Sequence, residues 1–226
     1  TVAFYEEILK QEGLKPRTVV DLACGTGSVT AILARKGLQV IGVDMSEEML
    51  TMASEKAMAL SDNRPFFVRQ RMQRLRLPHK VDWVFSGLDS INYLTNPQDC
   101  QETFRRVYAA LTAGGAFLFD INTPEKLRAM DGEIFLDEDD DVFCVWRSEF
   151  DENTRICTYG MDIFQRRGRH WERSQEEHQE YAYTPAELTE YLLDAGFTRI
   201  EQFGDLRAEP PKEGEQRIYF LAIKEK

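Results

Sequence analysis

The sequence predicts an α/β fold: a mostly parallel sheet covered by helices, with a small antiparallel sheet inserted late in the chain. Three observations carry this. Strand-like and helix-like hydrophobic periods alternate through the first half. A glycine-rich turn, Cys24-Gly25-Thr26-Gly27, follows the first apolar strand. From about Glu133 to Tyr183 the helical pattern gives way to alternating aromatic and polar residues. At 226 residues, one sizeable domain with an insertion is expected rather than two domains.

Phe4 to Gln11 reads as a helix stopped near Gly13, and Thr18-Val19-Val20-Asp21-Leu22 as a buried strand. After the glycine turn a helix runs from about Ser28 to Lys36 and ends at Gly37. Leu38 to Val43 is a second strand. Ser46 is placed to cap the next helix, whose Met49, Leu50 and Ala53 recur at helical spacing. Phe66-Phe67-Val68 begins a third strand, Val81 to Phe85 a fourth and Ala116 to Ile121 a fifth. The helix between the last two, Gln98 to Leu111, is ended by Gly114-Gly115. The alternating region, with turn signals at Asp151-Glu152-Asn153 and Arg167-Gly168, predicts an antiparallel meander of three or four strands. Thr184-Pro185-Ala186-Glu187 then starts a helix with a capping Thr, a Pro in the first position and a reciprocal Glu. It runs to Gly196, and Phe197 to Phe203 with Arg217 to Ile223 close the sheet as a hairpin. The expected division is a core of 1–122 and 184–226 with an inserted lid of 123–183, on the side of the sheet where ligands gather.

The glycine turn is the first candidate site. Gly25 and Gly27 let the backbone turn sharply and approach a bound molecule. A dinucleotide loop would carry a third glycine where this chain has Thr30. The strand before the loop carries Asp21, whose charge would repel a pyrophosphate but suits a cofactor bearing an ammonium and a sulfonium. The second strand leads into Asp44, a carboxylate able to accept both hydroxyls of a ribose, and Met45 beside it can lie against an adenine face.

Together, Asp21-Leu22-Ala23-Cys24-Gly25-Thr26-Gly27-Ser28 and Gly42-Val43-Asp44-Met45-Ser46-Glu47-Glu48-Met49-Leu50 resemble the first two motifs of the class I S-adenosylmethionine-dependent methyltransferase family. The resemblance implies a seven-stranded Rossmann-like sheet of order 3-2-1-4-5-7-6. It implies a cofactor, S-adenosylmethionine, held at the methionine end by Asp21, Ala23, Gly25, Thr26 and Gly27 and at the ribose by Asp44. Met45 and the Met72 backbone would meet the adenine, and Leu88 is a further expected cofactor contact. One departure stands out: the acid that the family places after its third strand, to meet the adenine amino group, falls here on Arg71. That arginine either stacks on the base or belongs, with Arg69, Arg74 and Arg76, to a solvated basic face. The run Asp89-Ser90-Ile91-Asn92-Tyr93-Leu94 and the stretch from Glu176 to Thr184 resemble a small-molecule subgroup that includes relatives of glycine N-methyltransferase, in which an inserted sheet roofs the pocket. The family also lays an N-terminal segment over the cofactor, part of which would precede Thr1.

The expected reaction is methyl transfer to N or O of a small molecule. An imidazole is the side chain best suited to proton transfer near neutral pH, so His178 is the candidate general base, with Tyr93 as an orienting donor; the competing reading makes His178 a packing residue on a half-exposed strand. His79 and His170 fall in turns. Trp146, Trp171, Phe150 and Phe164 could form an aromatic ceiling, or simply alternate in a half-buried sheet. Two alternatives remain: a nicotinamide-dependent oxidoreductase, and a non-catalytic module that binds S-adenosylmethionine.

With 28 Lys and Arg against 39 Asp and Glu, the net charge of -11 opposes counterion release, so a nucleic-acid partner is not expected. Cys24, Cys100, Cys144 and Cys157 have no zinc-ligand spacing and read as reduced thiols. The acidic run Asp137 to Asp141 lacks the spaced ligands of a calcium loop and reads as an exposed loop, so no metal is expected. No apolar run reaches the ~20 residues of a membrane helix and no signal peptide is evident, so a cytoplasmic protein is expected. Oligomeric state is left open.

Overall fold

The computed structural model of the chain describes residues 2–60 and 62–225. Thr1, on which the expected N-terminal segment bears, lies outside the described residues. Helix α1 (Val2–Gln11) precedes strand β1 (Thr18–Leu22), followed by α2 (Ser28–Arg35), β2 (Gln39–Asp44), α3 (Glu47–Met58), β3 (Phe66–Arg69), β4 (Val81–Ser86), α4 (Pro97–Ala110) and β5 (Leu111–Asn122). The late half holds α5 (Pro124–Ala129), β6 (Ile134–Asp139), β7 (Val142–Asp151), β8 (Ile156–Arg167), β9 (His170–Tyr181), α6 (Pro185–Ala195), β10 (Arg199–Phe203) and β11 (Arg217–Ile223). Seven strands form one sheet in the order β3-β2-β1-β4-β5-β11-β10. Among the described residues, β11 alone runs antiparallel to the other six strands, pairing with β10 and β5. This is the predicted order, with the switch point between β1 and β4.

Period-two alternation in the central strands builds a core on each face. On one side Val20, Val84, Phe117, Phe119 and Phe220 meet Phe104 and Val107 of α4 and Leu188 and Leu192 of α6. On the other, Val19, Trp83, Phe85, Leu118 and Leu221 meet Phe4, Tyr5 and Ile8 of α1 and Leu33 of α2. Full burial of rings such as Trp83, Phe104 and Phe119 is worth roughly 2–3 kcal/mol each. The caps fall where the sequence puts them. Ser46 accepts from the Met49 amide, and Thr184 and Glu187 form a reciprocal capping box.

The four remaining strands make an antiparallel sheet, β6-β7-β8-β9. One tie to the larger sheet is Asn92, fully buried, whose amide donates to the carbonyls of Asn122 and Tyr181 and accepts from the Asn122 N–H. Asn92 is thus occupied by backbone and is not a free polar group at a cleft edge.

Three expectations need correction. Residues Asp137–Asp139 of the acidic run are strand, paired with Cys144, Phe143 and Val142, and only Asp140 and Asp141 form the turn; cross-strand pairing overrides like-charge repulsion because every one of these side chains is solvated. Strand β5 begins at Leu111, so Gly114 and Gly115 lie inside it where its register against β4 shifts. Helix α5 was not anticipated, although Thr123-Pro124 repeats the Thr184-Pro185 signal: Thr123 Oγ1 accepts from the Lys126 amide.

Candidate functional site

The loop after β1 is built from left-handed residues at alternate positions. Ala23, Gly25 and Gly27 have φ of 64°, 51° and 70°. The glycines adopt this freely; Ala23 does so at a cost of about 1 kcal/mol, offset as its N–H and that of Cys24 donate to the Val43 carbonyl. At Gly27 conformation and space coincide, since a Cβ there would sit 2.8 Å from the Ala53 Cβ of α3. Lys56 of α3 donates to the hydroxyls of Thr26 and Ser28, closing the outer side of the loop.

Asp44 holds the loop from the other strand. Its Oδ2 accepts from the Gly25 N–H at 2.8 Å and its Oδ1 from the Ser46 N–H at 2.9 Å. Asp21 lies beneath the loop, 2% exposed, and accepts from the Thr30 hydroxyl. Burial pushes its carboxyl up to about 6, with Thr30 opposing and Asp44 adding to the rise. Thr30 stands where a dinucleotide loop would have its third glycine, and that position here supplies the partner of the buried acid. Burial also raises the Cys24 thiol, and Asp21 and Asp44 raise it further; all four cysteines are free.

A cavity of about 570 Å³ opens at the ends of β1, β2 and β4, within the volume range of small-molecule sites. Ala23, Gly25, Asp44, Met45, Met72, Leu88 and Tyr93, all expected site residues, line it, together with the unanticipated Met49, Gln73, Asn96 and Asp99. Asp21, Thr26, Gly27 and His178 are not in its wall. Met45 and Leu88 are 58% and 64% exposed, apolar surface fit for a flat base. A carboxylate with lone pairs to spare, an apolar slot and a loop without Cβ atoms fit the ribose, adenine and amino-acid ends of S-adenosylmethionine.

The floor of the cleft is held by groups that sequence reading missed, Asp120, Tyr5, Arg217 and Glu180. Leu88 and Asp89 have φ of 57° and 53°, a strained pair held by Asp120 of β5, whose Oδ1 and Oδ2 accept from their amides at 3.0 Å each. Tyr5 of α1 donates to the same carboxylate at 2.7 Å, and Arg217 of β11 pairs with it. Arg217 also donates to Asp89 and Asn122, and Asn122 donates to Glu180 of β9. Burial pushes the Glu180 carboxyl up, with Asp89 adding to the rise and Asn122, Lys126 and Arg217 opposing it. Burial likewise pushes the Tyr93 hydroxyl up to about 12, assisted by Glu180 and Asp89. These groups come from elements distant in sequence, so no local motif announces them.

His178 is brought edge-on to the Tyr93 ring, 6.0 Å between centroids, and its Nε2 lies 3.2 Å from a Glu176 oxygen. His79 and His170 are exposed. Arg69, Arg71, Arg74 and Arg76 are all exposed; Arg69 pairs with Glu47, and Arg71 also borders the cavity. The four aromatic residues do not form one ceiling. Register puts Trp146 opposite Met161 and Phe150 opposite Cys157, on one face of the small sheet. Phe164 and Trp171, which pairs with Arg166, lie on the other face. Among the described residues no cluster of His, Cys, Asp and Glu could hold a metal, and no helix is long and apolar enough to cross a membrane.

Comparison with known proteins agrees with this geometry. A family model described as a methyltransferase domain matches residues 19–115. A protein named as a methyltransferase, YqeM of Bacillus subtilis (strain 168), is 32% identical over 92% of this chain and 84% of its own length. A second protein named as a methyltransferase, from Geobacillus sp. (strain WCH70), is 32% identical over 98% of this chain and 91% of its own. A crystal structure of an S-adenosylmethionine-dependent methyltransferase from Clostridium acetobutylicum ATCC 824 superimposes with a TM-score of 0.91 and 29% identity, covering 99% of this chain and 90% of that one.

Proposed function

This chain belongs to the class I S-adenosylmethionine-dependent methyltransferases, and from that premise we propose that it moves a methyl group to nitrogen or oxygen of a small molecule bound between the cavity and the inserted sheet. The observation that carries the reading is the cavity wall, in which the Asp44 carboxylate and the apolar Met45, Met72 and Leu88 adjoin Ser90 and Tyr93. The nicotinamide alternative gives way on the family and on Thr30.

When bound, S-adenosylmethionine supplies a methyl group on a sulfonium, open to in-line displacement. The chain's own part is alignment and exclusion of water. Ala23, Gly25 and Gly27, with Asp21 beneath, hold the amino-acid end; Asp44 accepts from the ribose hydroxyls. Residues 123–183 act as a lid over a core of 1–122 and 184–226. Tyr93, at the cleft edge, orients the acceptor, and His178, edge-on to the Tyr93 ring, takes the proton that an amine or hydroxyl gives up.

Calorimetry with S-adenosylhomocysteine tests the site. The wild type is expected to bind, and Asp44→Ala to lose about tenfold or more, since it removes the ribose acceptor and frees the Gly25 amide. An unchanged affinity in that variant would remove Asp44 from the site. For the chemistry, His178→Ala is expected to lower kcat by about 100-fold, the smaller end of general-base effects, with the loss shrinking as pH rises. Unchanged kcat at saturating acceptor would leave His178 as packing for Tyr93.

A further inference from the structure

The family's adenine acid is replaced here by Arg71, which donates hydrogen bonds but cannot accept one. The cavity wall contains a second carboxylate all the same. Asp99, in the first turn of α4, lies in that wall with Arg71, Met72, Gln73 and Asn96. It is partly buried, and its Oδ2 accepts from Gln73 Nε2 at 3.1 Å. Asp44 and Asp99 are the two carboxylates among the lining residues, and Asp44 already serves two backbone amides. On the reading that this cavity holds the methyl donor, we propose that Asp99 accepts the hydrogen bond from the exocyclic amine of the adenine, so that the base is read from the start of α4 instead of the end of β3.

The chemistry of the wall supports this assignment. An exocyclic amine entering a slot walled by Met45, Met49 and Met72 loses water and needs an acceptor in return. An ionised carboxylate has about four lone-pair positions, of which Gln73 engages one and fixes the orientation. Residues 72–74 form a 3₁₀ turn that packs on α4, so Gln73 and Asp99 are held together by backbone on both sides.

The test compares S-adenosylhomocysteine with its 6-deamino analogue, in which hydrogen replaces the amine, by calorimetry on the wild type and on Asp99→Ala and Asp99→Asn. The wild type should prefer the amine-bearing ligand by about tenfold or more, the range of a hydrogen bond to a charged group. In Asp99→Ala that ratio should fall to about one while affinity for the analogue stays near its wild-type value. Asp99→Asn, which keeps a carbonyl acceptor, should be intermediate. A general loosening of α4 would weaken both ligands equally and leave the ratio intact; that outcome overturns the assignment, as does a wild-type ratio of one. Failure of the wild type to bind either ligand is a separate result, which overturns the site reading on which this one rests.

Discussion

Asp120→Ala is expected to lower the free energy of unfolding by about 3–5 kcal/mol in all, the range for breaking a buried ion pair from one side, with Asp89 left as the remaining carboxylate on Arg217. The Asp120 side chain is 1% exposed and that of Arg217 is 19% exposed, so solvent can do little to replace the lost carboxylate. The same substitution strands the Tyr5 hydroxyl and the amides of Leu88 and Asp89, each an unsatisfied group costing about 1–3 kcal/mol unless water enters. Urea unfolding at pH 7.5 measures the sum. The double variant Asp120→Ala/Arg217→Met separates the terms: with the cation removed as well it should recover part of the loss, the remainder being the stranded donors and an Asp89 left without Arg217. If the single variant costs under about 1 kcal/mol, the network is not holding the cleft floor. Function should follow, because Leu88 keeps a left-handed backbone only while its amide is held. Asp120→Asn, which retains one acceptor oxygen, should therefore remain folded yet bind S-adenosylhomocysteine more weakly than the wild type.

This network also marks how far the sequence could be read. The cap at Ser46, the capping box at Thr184 and the loop from Ala23 to Gly27 are local signals: residues within one turn of each other carry them, so the chain declares them without being folded, whereas the sheet order comes from the family resemblance. Asp120, Arg217, Tyr5 and Glu180 carry no such mark. Asp120 sits in an apolar run and reads as one more strand position; its partners lie 115 and 97 residues away. Tyr5 reads as one of the apolar positions of α1. The aromatic ceiling failed for a related reason. Alternation announces a strand, but which residues of separate strands share a face depends on register, and register is set by turn lengths that composition does not show. Helix α5 is different, because its Thr-Pro cap was visible and only its short length hid it. Asp99 shows a third kind of limit. Its role depends on the cavity wall being closed by two segments, 70–73 and the start of α4, that meet only in the folded chain.

Asp21→Asn should reverse the usual result of altering a ligand-binding residue, making the empty protein more stable and the loaded one less so. The Asp21 carboxyl titrates near 6 in the folded state against an ordinary 3.8. A carboxyl raised on folding stabilises the fold while protonated: its contribution is complete below about pH 3.8 and is lost as pH rises through 6. The difference of 2.2 between those values corresponds to about 3 kcal/mol of cost at pH 8, at about 1.4 kcal/mol for each pKa unit. Asn removes the charge and retains an oxygen for the Thr30 hydroxyl. At pH 8 the empty variant should therefore unfold at higher urea than the wild type, by up to about 3 kcal/mol, and at pH 3.5 the two should nearly coincide. The wild type tolerates this cost because a buried anion under the loop attracts the ammonium and sulfonium of the methyl donor. Its affinity for S-adenosylmethionine should accordingly rise about tenfold between pH 5 and pH 8 as Asp21 ionises, while that of Asp21→Asn stays flat and weaker. Calorimetry at the two pH values decides it. A variant no more stable than wild type at pH 8, with a wild-type affinity that does not move with pH, would mean that Thr30 alone satisfies Asp21 and that its charge is not what the loop offers the cofactor. The opposite pattern ties the strand's least comfortable residue to the cation it was built to meet, a stability cost carried at a functional position.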